Sequence, residues 1–133
     1  MLFYSIHFST KLDQFNYQLS LKPISEIEKE VIKLRKKVKK TAKENSLLIN
    51  LELVLESKNQ NINFLPIDIN ESEISNFKII DNQHLLLPFT SLDGLGIEKA
   101  TEIINERNQK PFINFQDFKS RTKLNSKIIK ILE

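Results

Sequence analysis

The chain has 133 residues, of which 40% are hydrophobic and 28% charged, and its formal net charge is +3. This length suits one domain or part of one, and the mild positive charge permits a polyanionic partner without requiring one. The absence of cysteine excludes disulfide frameworks, thiolate zinc sites and cysteine nucleophiles. Neither a basic leader nor a membrane-length apolar run occurs, so we expect a cytoplasmic protein with no membrane partner.

The first part of the chain predicts a pair of helices. Residues 2–21 are rich in aromatic side chains and leave helix and strand open as alternatives. Ser25 and a glutamate three positions later have the spacing of a capping box, and apolar residues then recur at helical intervals to about Lys40. Thr41 begins a second box, which is followed by an apolar stripe that ends near Lys58. Two adjacent amphipathic helices predict an antiparallel pair.

The middle of the chain predicts a small β-hairpin. Polar residues 59–61 end the second helix, and the residue before Pro66 is expected to be extended because proline disfavours helix there. Two β-prone runs, 77–80 and 84–87, then flank a three-residue turn.

The only two glycines of the chain, Gly94 and Gly96, belong to a pattern that resembles the helix-hairpin-helix motif. Gly94 permits a positive φ in a tight turn, and Gly96 permits a phosphate to approach the N–H groups that begin the next helix. Leu95 is expected to fill the space between the two helices, and Ala100 lets them pack closely. The second helix of this hairpin is predicted over residues 97–108.

Residues 112–132 resemble a second, degenerate copy of the hairpin, in which two helices flank a polar break at 122–125. Asn125 stands where glycine would be helpful, because asparagine tolerates left-handed geometry better than most residues. Alternatively, the charged residues of this copy lie at a solvated helix end and contact no nucleic acid. The candidate contacts to a nucleic-acid backbone in this copy are Arg121, Lys123, Asn125 and Lys127.

Further motifs extend the resemblance to nearly the whole chain. Residues 65–72, the predicted β-hairpin, the glycine pair and residues 115–121 occur in the order found in the C-terminal part of bacterial replicative DNA polymerase III α subunits. Residues 43–48, 88–89 and 121–125 are similar to the PolC type of that family.

This resemblance implies an α+β fold that is mostly α, with a helical pair, a small β-hairpin and a C-terminal tandem helix-hairpin-helix. Residues 1–58 resemble the end of the polymerase fingers region. Residues 59–88 are the extended linker and hairpin, and residues 89–133 are the tandem duplex-binding domain. The implied partners are double-stranded DNA, as primer–template, and the remainder of the polymerase α subunit.

The resemblance also implies how the duplex is held. In the family, this region grips the phosphate backbone, which carries little sequence information. The residues that match the motif here are Gly94, Leu95, Gly96 and Ile97, as backbone N–H contacts, and Lys99 on the helix that follows.

The catalytic parts of such a polymerase are missing from this chain. No Asp-x-Asp pair is present for the palm metals, so we expect no catalytic residue, metal site or cofactor in this fragment, whereas the parent polymerase would use Mg²⁺. Whether the chain counts as part of an enzyme stays open. Binding to the sliding clamp is doubtful because the C-terminal clamp peptide of the family is missing.

Two other functions fit parts of the sequence. Hairpins of this kind also serve as protein–protein interaction modules with no DNA contact. A base-excision glycosylase would use a catalytic aspartate near Asp117, but the spacing from Asn114 to Asp117 indicates ordinary helix capping.

The basic run at residues 33–40 is either a contact to nucleic acid or a solvated helix face.

Overall fold

The computed structural model describes residues 1–10 and 15–133, in which helices predominate over one small sheet. This is the mostly helical α+β fold predicted from the sequence. The helices are α1 (Leu2–Thr10), α2 (Tyr17–Ser20), α3 (Ile24–Arg35), α4 (Ala42–Asn59), α5 (Ile97–Gln109), α6 (Phe115–Arg121) and α7 (Ser126–Leu132). The strands are β1 (Asn63–Leu65), β2 (Lys78–Asp81) and β3 (His84–Leu86), and a short 3-10 helix covers Phe89–Ser91. No helix in the described part of the chain is long and apolar enough to cross a membrane.

Helices α3 and α4 pack against each other as the predicted pair. The capping box predicted at the start of α4 is confirmed, because the Glu44 N–H donates to the Thr41 hydroxyl at 3.1 Å and the Thr41 N–H donates to the Glu44 carboxylate at 3.1 Å. The Arg35 guanidinium lies 3.3 Å from the Glu52 carboxylate, which ties the end of α3 to the middle of α4.

The bounds predicted for α3 are wrong at both ends. Its N-cap is Pro23, so Ser25 lies inside the first turn, where its side chain does not cap the helix. The helix ends at Arg35 instead of near Lys40. Val38 keeps the apolar spacing but is 97% exposed, so no burial offsets the repulsion among the neighbouring lysines in a further turn.

The sheet has the strand order β1-β3-β2. Strands β2 and β3 form the predicted antiparallel hairpin, with Ile79 opposite Leu85. Strand β1 pairs in parallel with β3, with Phe64 opposite Leu85. The sequence predicted only an extended segment at β1, since parallel pairing joins residues that are distant in the chain.

One buried cluster connects the three predicted segments. Most of the aromatic residues before Leu21 are helical, and one of them, Phe8, packs with Phe15, Phe64 and Phe77 at ring-centroid distances of 5.4 to 5.7 Å. The same cluster continues through the C-terminal hairpins, where it contains Leu95, Ile103, Phe118 and Ile128. The hairpins are therefore held on the rest of the chain by a shared core.

Candidate nucleic-acid interface

The first hairpin, residues 92–97, turns at Gly94. Its φ of +91° lies in the region that L side chains rarely adopt, which confirms the reason given for a glycine there. Leu95 is buried in the same core as Ala100 and Ile103 of the following helix. Its N–H, however, donates to the Leu92 carbonyl at 3.1 Å and closes the turn. The Leu95 amide is thus already used within the turn, and the phosphate contact predicted for it would compete with this hydrogen bond.

Helix α5 begins at Gly96 without a side-chain cap. Gly96 is extended, at φ −84° and ψ 176°, and an added Cβ there would meet nothing within 4 Å. No acceptor within residues 1–10 and 15–133 receives a hydrogen bond from the N–H groups of Gly96, Ile97 or Glu98. Together with the dipole of a helix of 13 residues, these amides present positive partial charge to open space. The arrangement suits an anion.

The second hairpin, residues 121–126, has a side-chain cap at the start of its second helix. Asn125 is the N-cap of α7, and its side chain accepts a hydrogen bond from the Ile128 N–H at 2.9 Å. It therefore corresponds to Gly96 and not to Gly94. Its φ of −70° is not left-handed, so the glycine-like geometry predicted for Asn125 is wrong. In the described part of the chain, the only non-glycine residue with a positive φ is Asn61.

Arg121 is bound by the protein itself. Its guanidinium donates to the carbonyls of Glu106 and Lys110, each at 2.7 Å, and to the Asp117 carboxylate at 3.0 Å. It also lies over the Phe112 ring, 4.6 Å from the centroid. A cation at these carbonyls stabilises the C-terminal end of α5. The structure thus accounts for Arg121 without DNA.

Asp117 lies in the same network. Its carboxylate accepts a hydrogen bond from the Ile113 N–H at 3.1 Å, while the Asp117 N–H donates to the Asn114 side chain at 2.8 Å. The Ile113 hydrogen bond, followed by the bond from Arg121, holds the pKa of Asp117 below its usual value. These partners give Asp117 the helix-capping role predicted from the sequence. Its carboxylate is therefore used by the protein, which argues against Asp117 as the catalytic aspartate of a glycosylase.

The structure divides the predicted contact residues between two surfaces. A groove of about 1100 Å³, here called the hairpin groove, is lined by residues 94–97 and Lys127. A smaller depression of about 260 Å³ is lined by Lys99, Arg121 and Lys123. Asn125 lines neither of them. The two hairpins therefore do not offer one continuous row of the predicted residues.

The hairpin groove extends beyond the two hairpins. The start of α4 contributes Lys43 and Ser46 to its lining, and Gln18 of α2 also contributes. No contact was predicted for Lys43 from the sequence. Its only signal was the similarity of residues 43–48 to PolC-type chains, which does not indicate that α4 approaches the hairpin.

The basic run of residues 33–40 does not line the hairpin groove. Two of its cations are paired with α4 carboxylates, Arg35 with Glu52 at 3.3 Å and Lys37 with Glu44. The Lys37 hydrogen bond is the main reason that the pKa of Glu44 is lowered. This placement agrees with the solvated-face interpretation.

The residues described here do not fit the Mg²⁺ site of a polymerase. Across the described ranges, no group of three or more histidine, cysteine, aspartate or glutamate side chains is placed to hold a metal ion. We therefore assign no metal-dependent step to these residues.

Comparison with known families places these observations in context. Residues 61–133 match the family described as a helix-hairpin-helix motif. The chain is 34% identical over 132 residues to the DNA polymerase III PolC-type of Caldanaerobacter subterraneus. This alignment covers 98% of the chain. The chain is 34% identical over 131 residues to the same type of protein from Thermotoga maritima, and 30% identical over 134 residues to that of Bacillus subtilis.

These relatives are much longer than the chain. The aligned part is 9% of the Caldanaerobacter protein and 10% of the Thermotoga protein. The chain thus spans about a tenth of the length of the relatives it matches, and the resemblance to a PolC-type segment with a helix-hairpin-helix is confirmed over nearly all of the chain.

Proposed function

The chain belongs to the helix-hairpin-helix family, and on that premise we propose that it is the duplex-binding segment of a PolC-type DNA polymerase III. In this proposal it holds the primer–template duplex by its phosphate backbone, without sequence preference. Its partners are double-stranded DNA and the remainder of the polymerase, and it acts in the cytoplasm. Mg²⁺ would be held by polymerase residues outside this chain, where it would serve nucleotide transfer.

The observation that carries the proposal is the open start of α5. Gly96 leaves the first amides of the helix without a side-chain cap, and no atom lies within 4 Å of the position that a Cβ would occupy. A phosphate oxygen can approach backbone donors only where no side chain intervenes. The same open position is the one that the helix-hairpin-helix pattern assigns to glycine.

Backbone contacts of this kind bind every sequence alike. Phosphate contacts position a protein on a duplex without reading bases, and such non-specific binding falls steeply with salt. We expect the isolated chain to bind duplex DNA with a dissociation constant on the order of 10⁻⁴ to 10⁻⁶ M near physiological salt.

Gly96→Val tests the proposal. The extended backbone at Gly96 accepts a branched residue, and the open space around it leaves the fold intact. Valine would cover the amides, and the loss of charge-assisted hydrogen bonds is expected to weaken binding at least about ten-fold. Fluorescence anisotropy with a labelled duplex across a salt series measures the effect, and thermal melting checks the fold.

Ser126→Val is the matched control, because it places the same side chain at the first residue of α7, outside both surfaces. It should leave the affinity unchanged. Equal affinities for Gly96→Val and the unaltered chain would overturn the proposal. A chain that fails to bind duplex at low salt would favour the alternative, a protein-interaction module. The apolar surface for such a module is present on α1, where Leu2, Phe3 and Ile6 are exposed.

A further inference from the structure

We propose that the DNA strand bound at the first hairpin continues through the hairpin groove to the start of α4. Lys43 and Lys127 then contact its phosphates. The inference rests on the proposed function and adds Lys43, a contact outside residues 89–133. The occupant of the groove is the sugar–phosphate backbone of the same duplex.

The shape of the groove supports this path. Its lining combines the hairpin residues 94–97 with Lys127 of α7 and with Lys43 and Ser46 of α4. A backbone that reaches the amides at Gly96 therefore meets α4 without leaving the groove. This continuity with the proposed phosphate contact is what distinguishes the hairpin groove from the smaller depression, which contains none of residues 94–97.

The charges of the lining favour a polyanion. Lys43 and Lys127 are exposed, and neither lies within 4.0 Å of a carboxylate in the described part of the chain. By contrast, Lys37 is paired with Glu44, and Lys78 lies 3.0 Å from Glu71. Unpaired ammonium groups that line a groove can neutralise phosphates without first breaking an ion pair.

The groove also contains uncharged groups that suit a nucleic-acid backbone. The side chains of Gln18 and Ser46 add hydrogen-bond donors to the lining. The one acidic side chain in the lining is Asp93. With two unpaired lysines against one aspartate, the local charge is positive. Apolar side chains such as Leu47 and Ile131 also line the groove, and its positive charge favours an acidic backbone over a basic segment of a protein.

The test compares matched lysine variants by duplex anisotropy over a salt series between about 50 and 200 mM. Each of Lys43→Gln and Lys127→Gln should reduce the slope of log K against log salt by about 0.9 and weaken binding roughly ten-fold at about 0.1 M salt. Lys29→Gln and Lys130→Gln alter exposed lysines outside the groove and should change neither quantity. Asp93→Asn should strengthen binding, because it removes the single carboxylate of the lining.

The outcomes separate this inference from the proposed function. If Gly96→Val weakens binding while Lys43→Gln behaves like Lys29→Gln, the proposed function stands and the path to α4 is overturned. If the unaltered chain does not bind duplex at low salt, both are overturned. A reduced slope for Lys43→Gln with unchanged thermal stability supports the path, because exposed lysines at these positions stabilise no neighbouring carboxylate.

Discussion

The two hairpins of the C-terminal region begin their second helices in opposite ways. At Gly96 no side chain caps α5, and the first amides lie open. At Asn125 the side chain accepts a hydrogen bond from the Ile128 N–H and so caps one amide of α7. Two copies of a similar pattern thus differ in whether the N-cap side chain accepts a hydrogen bond from the following helix, as Asn125 does, or no side chain does, as at Gly96.

The connection between the copies adds to this asymmetry. Arg121 is the first residue of the second hairpin and donates to the carbonyls of Glu106 and Lys110, so it ties this hairpin to the C-terminal end of α5. Of the side chains predicted as contacts in the second copy, only Lys127 lines the hairpin groove. We infer that the second hairpin mainly supports the first and contributes less to duplex binding.

Of the changes considered, replacing Arg121 should lower the free energy of unfolding the most. Arg121→Ala removes hydrogen bonds from a charged group to two carbonyls and to Asp117, and should lower the free energy of unfolding by about 2 to 3 kcal/mol. Lys123→Ala, at an exposed neighbouring position, should leave stability within about 0.5 kcal/mol. Urea unfolding measures both variants.

Duplex binding by the same variant then shows whether Arg121 has a structural role or contacts a DNA phosphate. At salt and temperature where both variants are folded, Arg121→Ala should keep the salt slope of the unaltered chain. A slope reduced by about 0.9 with unchanged stability would identify Arg121 as a phosphate contact and contradict the structural role.

Sequence patterns predicted the turns and helix caps correctly where residues close in the chain determine the geometry. Gly94 is at positive φ, Thr41 forms its capping box and Asn114 caps α6, each within a few residues of sequence. Features set by distant partners were missed. The Arg121 side chain is occupied by carbonyls of α5, and Lys43 reaches the hairpin groove only because the shared core brings α4 there. Neither relation leaves a periodic signal in the sequence.

Changing the N-cap residues of α5 and α7 should have an intermediate effect on stability. Gly96→Asn gives the first hairpin the cap of the second, and is expected to raise the free energy of unfolding by a few tenths of a kcal/mol while weakening duplex binding, since the asparagine side chain would occupy an amide. Asn125→Ala removes the existing cap and should lower stability by about 1 kcal/mol with little effect on binding. Thermal melting and anisotropy on the same samples measure both quantities. Tighter binding by Gly96→Asn would contradict an open helix start as the phosphate site.

The pH dependence of stability should show the smallest effect. The Ile113 N–H and Arg121 lower the pKa of Asp117 in the folded state. Its contribution is therefore present above the unfolded pKa, about 3.9, and is lost as the pH falls through the lower folded pKa. Asp117→Asn should melt below the unaltered chain near neutral pH, and the difference should narrow in acid. Thermal melts between about pH 7 and pH 2 measure this difference.

The origin of the shift can be divided between its two donors. In an Arg121→Ala background the Ile113 N–H still donates to Asp117, so the pH-dependent difference caused by Asp117→Asn should shrink without vanishing. Because the Ile113 hydrogen bond is the largest single cause of the lowered pKa, a measurable part of the difference should remain. Complete loss would mean that Arg121 alone holds the carboxylate in its charged form. Asp117 would then depend on the connection between the hairpins and not on the local turn that begins α6.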